Sequence, residues 1–146
     1  MVNSLNEYGK AAILVAIVLG LIPALSIYIS LSSPTKIKFT DHHIHIEGGF
    51  GVSIPLANID KVQLVNWQDL PSTAKRKKAS STRNHKKGLF VDHYGVDVYV
   101  FVDNLKPDQI LHISCSNMPD LYYANADGDH IAAYNNLNSI LVTENL

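Results

Sequence analysis

The chain has a single cysteine, Cys115, in 146 residues, so no disulfide can close within it. A lone thiol agrees with a reducing compartment. There is no nucleophile elbow. The acid–imidazole neighbours Asp92-His93 and Asp129-His130 are adjacent in the chain, and neighbours in a strand point to opposite faces. The glycine cluster GGFG (48–51) leads into VSIP, a strand-like run ending in proline. A phosphate cradle would open a helix instead. These absences exclude the usual routes to catalysis, so no enzyme and no cofactor are expected. His43 and His45 alternate with Ile44 and Ile46 and could supply half a metal site. No spacing brings His85, His93, His112 or His130 to complete it, and a solvated hairpin face is the simpler expectation.

Two further absences organise the chain. Residues 11–31 read AAILVAIVLGLIPALSIYISL, without one charge. As a helix this run spans roughly 31 Å, close to the ~30 Å hydrocarbon core of a bilayer. Its twelve Leu, Ile and Val residues favour insertion by roughly 4–7 kcal/mol in sum. A cleaved signal peptide fits less well, because the run is long, Glu7 stands beside Lys10, and no A-x-A site comes after it. A buried core helix fits least, since the run has no polar face. We therefore expect residues 1–33 to be a short tail and a single transmembrane helix. Lys36 and Lys38 lie close behind it, against only Lys10 and the amino terminus before it. The positive-inside rule then puts the amino terminus outside and residues 34–146 in the cytoplasm, at the cell membrane.

The second absence is of acid. The stretch PSTAKRKKASSTRNHKKGLF (71–90) holds seven of the twelve Lys and Arg residues and no Asp or Glu. Elsewhere five basic residues face thirteen acidic ones.

Beyond Ser32-Ser33-Pro34 the chain is long enough for its own core. KIKFT (36–40), HIHIE (43–47), GVSIP (51–55), IDKVQLVNW (59–67), GLFVD (88–92), VDVYVFVD (96–103), QILHISC (109–115) and DLYYA (120–124) read as short antiparallel strands between turn residues. From Asp127 the period changes. Ile131, Tyr134, Leu137, Ile140 and Leu141 share one helical face, and Asp127 or Asp129 can cap its start. The pattern predicts a mainly β domain, a curled antiparallel barrel covered by a carboxy-terminal helix. In QILHISC, Cys115 shares the apolar face and is most simply a small core residue. Val96, Val98, Val100 and Val102 should face the core. On the other face, Tyr99 and Phe101 either receive the helix, the simpler fate, or contact a partner.

The order IPLANIDKVQLV, Leu70-Pro71, Arg76, GLF (88–90), Tyr94-Gly95, a valine-rich strand and YYANADG before an amphipathic helix resembles the bacterial pleckstrin-homology-like proteins. It is most similar to the small membrane-anchored group among them, over most of residues 36–142. That resemblance implies a seven-stranded, two-sheet curled barrel capped by a helix, and implies no enzyme. The chain departs from it at KKASSTRNHKK, where a glycine-containing segment would stand. It also departs in the 36–47 hairpin, which lacks the basic signature of phosphoinositide-binding relatives, so specific inositol-phosphate recognition is not carried over.

The basic segment has turn-rich, helix-indifferent residues and no apolar period, so the sequence predicts a mobile loop over 71–88. A tether of about four residues, roughly 13 Å, would let that loop reach the headgroups from many orientations. Its cations Lys75, Arg76, Lys77, Lys78, Arg83, Lys86 and Lys87 are the candidate contacts for anionic lipid headgroups or an acidic partner. Nucleic acid is disfavoured, because no Phe, Tyr or Trp lies between Pro71 and Leu89 to stack bases. The expected function is a membrane-anchored, non-enzymatic binding module. The alternative is a sensor or accessory subunit that meets an unknown protein partner through a strand edge or the Tyr99/Phe101 face, with the basic loop merely solvated.

Overall fold

A computed structural model of the chain describes residues 2–103 and 106–144, with side chains over 8–29, 33–103 and 106–142. The chain divides after Ser33 into two compact units. The first is a single helix, α1 (Val2–Ser32), with Pro23 inside it. The Ser26 hydroxyl donates to the Pro23 carbonyl at 2.9 Å. Every side chain from Tyr8 to Ile29 is exposed, although the mean hydropathy of this span is 2.6. Its 22 residues make a helix long and apolar enough to cross a membrane.

The second unit is mainly β. A three-stranded antiparallel sheet has the order β1 (Lys36–Phe39), β2 (His43–Glu47), β3 (Val52–Pro55). Strands β4 (Ile59–Asn66), β5 (Thr73–Ser81), β6 (Lys86–Asp92), β7 (Asp97–Val102), β8 (Gln109–Cys115) and β9 (Asp120–Ala124) form a second sheet ordered β4-β8-β9-β7-β6-β5. Helix α2 (Asp129–Glu144) closes the unit. Eight strands lie close to the expected spans; β5 is the ninth.

Consecutive strands β4 and β5 are the two opposite edges of the larger sheet. Laid flat, six strands would hold those edges roughly 24 Å apart. The connection 67–72 includes the 3₁₀ turn Trp67–Asp69 and reaches less than about 20 Å. The sheet must therefore curl, and Trp67 and Leu70 on the connection cover its inner face. Under them lie Phe90, Val98, Val100, Val102, Ile110 and Tyr122. Against the outer face pack Ile44, Ile46 and Ile54 of the smaller sheet and Ala133 and Leu137 of α2, around Phe101, Leu111, Ile113 and Tyr123. The unit thus has two cores, one on each face of a single sheet. It is curled and covered by a helix, but the barrel is not closed.

The structure corrects several expectations. The strands are not all antiparallel: β9 lies between β7 and β8 and runs parallel to β7. A two-residue period is the same for either direction, so alternation alone cannot show this. Val96 is not on the buried valine face; it precedes β7 and is 59% exposed in the turn. Neither Asp127 nor Asp129 caps α2. The Asn125 side chain does so, accepting the Asp129 N–H and donating to its carboxylate, both at 2.9 Å. Ile131 lies at the margin of the buried face, which His130, Ala133 and Leu137 occupy instead.

Candidate functional site

The basic segment is a strand and not a loop. β5 pairs with β6 from Thr73↔Asp92 to Ser81↔Lys86, and only the four residues 82–85 turn. Thr82 holds that turn, its N–H donating to the His85 carbonyl at 2.9 Å and its hydroxyl meeting His85 Nδ1 at 3.0 Å. Two bulges, at Thr73/Lys75 and Arg76/Lys78, take up extra residues. Gly88 makes the approach possible. Its φ is +120°, and a Cβ there would run into the Lys78 carbonyl and Ala79 Cα.

Pairing sorts the seven cations. Lys75, Arg76, Lys78 and Arg83 are exposed, with no ion-pair partner among the described residues. Lys77 bonds Asp97 at 2.7 Å in a half-exposed pair, which contributes less than about 1 kcal/mol. Lys86 is half-buried, donates to Thr73 Oγ1 at 3.0 Å, and has its pKa lowered by burial. Lys87 is buried and pairs with Asp103 at 2.6 Å. Four of the seven are therefore presented outward: Lys75, Arg76 and Lys78 on an edge strand whose outer side pairs with no other strand among the described residues, and Arg83 in the turn that follows it. Charged side chains and bulges are the devices that keep such an edge from pairing with a second copy.

Asp103 also fixes the start of the β unit. It accepts from the Thr35 N–H at 2.7 Å and from the Thr35 hydroxyl at 3.2 Å. Tyr123, fully buried, donates its O–H to the Thr35 carbonyl at 3.1 Å. Thr35 is only 1% exposed. The expected four-residue tether is thus shortened, and between the end of α1 and this clamp only Ser33 and Pro34 intervene. No local pattern signals it, because Thr35 and Asp103 lie 68 positions apart.

The Tyr99/Phe101 face is not open. The rings stack with centroids 6.3 Å apart, Tyr99 is half-buried, and Phe101 is fully buried in the core shared with α2. Exposing Phe101 would cost roughly 2–3 kcal/mol, so it is a packing residue and not a contact. Cys115 is half-buried at the edge of that core, and burial, with Asp120 and Asp60 nearby, pushes its thiol up to about 11. His43 and His45 stack at 5.8 Å. Among the described residues no His, Cys, Asp or Glu group is arranged to hold a metal.

One feature had no linear signal. A cavity of about 350 Å³ lies between the β6–β7 and β8–β9 turns, with Val96, Val98, Met118 and Pro119 in its wall. Asp120 forms part of it and is locked in place. Its Oδ2 is 2.8 Å from His112 Nε2, and its Oδ1 accepts the Cys115 N–H at 3.1 Å. Gln63 Nε2 meets His112 Nδ1 at 2.9 Å; an amide nitrogen donates, so Nδ1 accepts and Nε2–H points to Asp120. The Tyr122 ring stacks on His112 at 4.3 Å. Burial, then Asp120, Asp69 and Asp92, push the Tyr122 phenol up to about 12.

No protein-family model, curated protein or solved structure matches this chain.

Proposed function

We propose that this chain is a membrane-anchored, non-catalytic binding module of pleckstrin-homology-like character, which docks the β5 edge on anionic lipid headgroups. The observation that carries the reading is the β5 edge together with the turn that follows it. Lys75, Arg76, Lys78 and Arg83 stand exposed with no acidic partner among the described residues, in a chain whose remaining charge is acidic and whose first unit is an apolar helix. Each cation near an anionic leaflet contributes up to about 1 kcal/mol. An anchor in the same bilayer makes the contact intramolecular, so four weak contacts suffice. The resemblance of the motif order to the pleckstrin-homology-like proteins supports the binding-module class, and the positive-inside rule supports a cytoplasmic domain.

The test is cosedimentation of residues 34–146 with liposomes, with and without Gln at positions 75, 76, 78 and 83. Binding to phosphatidylserine vesicles that weakens with salt and disappears in the Gln variant is the expected result. Equal binding to phosphatidylcholine, or no loss in the variant, contradicts it. The unpaired outer side of β5 favours a second reading, in which an acidic extended segment of a protein partner adds a strand there. That contact would occur without vesicles.

A further inference from the structure

We propose that the cavity between the β6–β7 and β8–β9 turns binds an organic cation, an alkylammonium or guanidinium group on an apolar stem. Its volume of about 350 Å³ lies within the range of small-ligand pockets. The wall formed by Val96, Val98, Met118 and Pro119 suits an apolar stem, and the polar groups converge opposite it.

Tyr122 is the first sign of a ligand. It is only 9% exposed, and its hydroxyl has no hydrogen-bond partner among the described residues. Among the described residues the sealed polar atoms without partners are His85 Nε2 and His130 Nδ1, so this hydroxyl keeps some access, and Tyr122 lines the cavity. Buried phenols usually find a partner.

Asp92 is the second. Its Oδ1 accepts the N–H groups of Tyr94 and Val96, at 2.8 and 2.9 Å, which fixes the turn. Its Oδ2 has no partner among the described residues and is the oxygen available to a ligand. The cavity is also lined by Asp97 and Asp120. Asp97 already holds an ammonium, with Lys77 Nζ 2.7 Å from each of its oxygens. That rim pair is half-exposed and exchangeable. Three carboxylates face one ammonium, so an anion is repelled and a neutral ligand leaves a carboxylate without its counter-charge. A cation can donate to Asp92 Oδ2 and to the Tyr122 oxygen together. The site is opposite in charge to the β5 edge and does not depend on lipid docking.

The full chain in phosphatidylcholine nanodiscs is titrated with n-butylguanidinium while amide NMR shifts are followed. n-Butanol serves as the neutral probe, and acetyl-Ala-Arg-Ala-amide as the peptide arm. The expected result is saturable shifts confined to residues 92–98 and 118–122, with none for n-butanol. Asp92→Asn, which keeps the Oδ1 acceptor, and Tyr122→Phe, which keeps the stacked ring, should each weaken binding by about tenfold. Binding of the peptide as well identifies a partner's side chain as the source; binding of the small cation alone identifies a free metabolite-sized amine or guanidine. Non-saturating shifts spread over the surface carboxylates, or saturable shifts unchanged in both variants, overturn the proposal.

Discussion

Lys87, Asp103 and Thr35 show how a charged residue can serve the interior. The Lys87 ammonium and the Asp103 carboxylate are both largely withdrawn from water, and Asp103 also holds the Thr35 N–H. Removing one member leaves the other buried and uncompensated. Asp103→Ala should therefore cost roughly 3–5 kcal/mol in urea unfolding. Lys75→Ala, on the exposed edge, should stay within about 0.5 kcal/mol. Cys115 gives a pH effect of defined sign. With its thiol raised to about 11 from 9.0, the folded chain keeps a proton that the unfolded chain releases. Stability should fall as pH rises from about 9 to 11, and at pH 8 iodoacetamide should react about a hundredfold more slowly than with the urea-unfolded chain. His130 acts in the opposite direction. Burial lowers its pKa below 6.5, so the fold favours the neutral ring. Its contribution is present above that value and is lost on acidification. The acid limb of urea midpoints between pH 7.5 and 5 should flatten in His130→Leu; an unchanged limb would assign the acid sensitivity elsewhere.

At the scale of elements, β5 depends on what lies beside it. Its two bulges and the positive φ of Gly88 let a run of lysines close on β6. Gly88→Ala should force β5 away, seen as early hydrogen exchange over 73–81 while β8 and β9 stay protected. Replacing Lys75, Arg76 and Lys78 with Thr removes the charges that guard the edge, and the variant should sediment as dimers or larger species relative to the wild type. The same features explain what could be read in advance. β2 is bounded as its alternation indicates, because its one buried face leaves a two-residue period, whereas β8 and β9, buried on both faces in places, are marked by apolar runs between turn residues. β5 has no such period, since five consecutive residues of it are exposed and the ladder comes wholly from a partner. The parallel β7–β9 pair was equally illegible, because strand order is set by packing beyond the range of any local pattern. The seven cations were legible as a cluster, but their division into four outward and three engaged was not. It rests on Asp97, Thr73 and Asp103, all outside the cluster of cations they sort.

Taken whole, the molecule joins an apolar helix to a two-core β unit through a very short connection. Only Ser33 and Pro34 separate the end of α1 from a residue clamped by Asp103 and Tyr123. Docking on the bilayer would then depend on a fixed strand edge, in place of the searching loop that composition suggests. The most direct measurement is hydrogen exchange on the full chain in nanodiscs of phosphatidylcholine and of phosphatidylserine, compared residue by residue. Residues 73–85 should gain protection in the anionic discs alone, and should lose that gain at high salt. Identical exchange along β5 in both lipids would contradict docking through this edge.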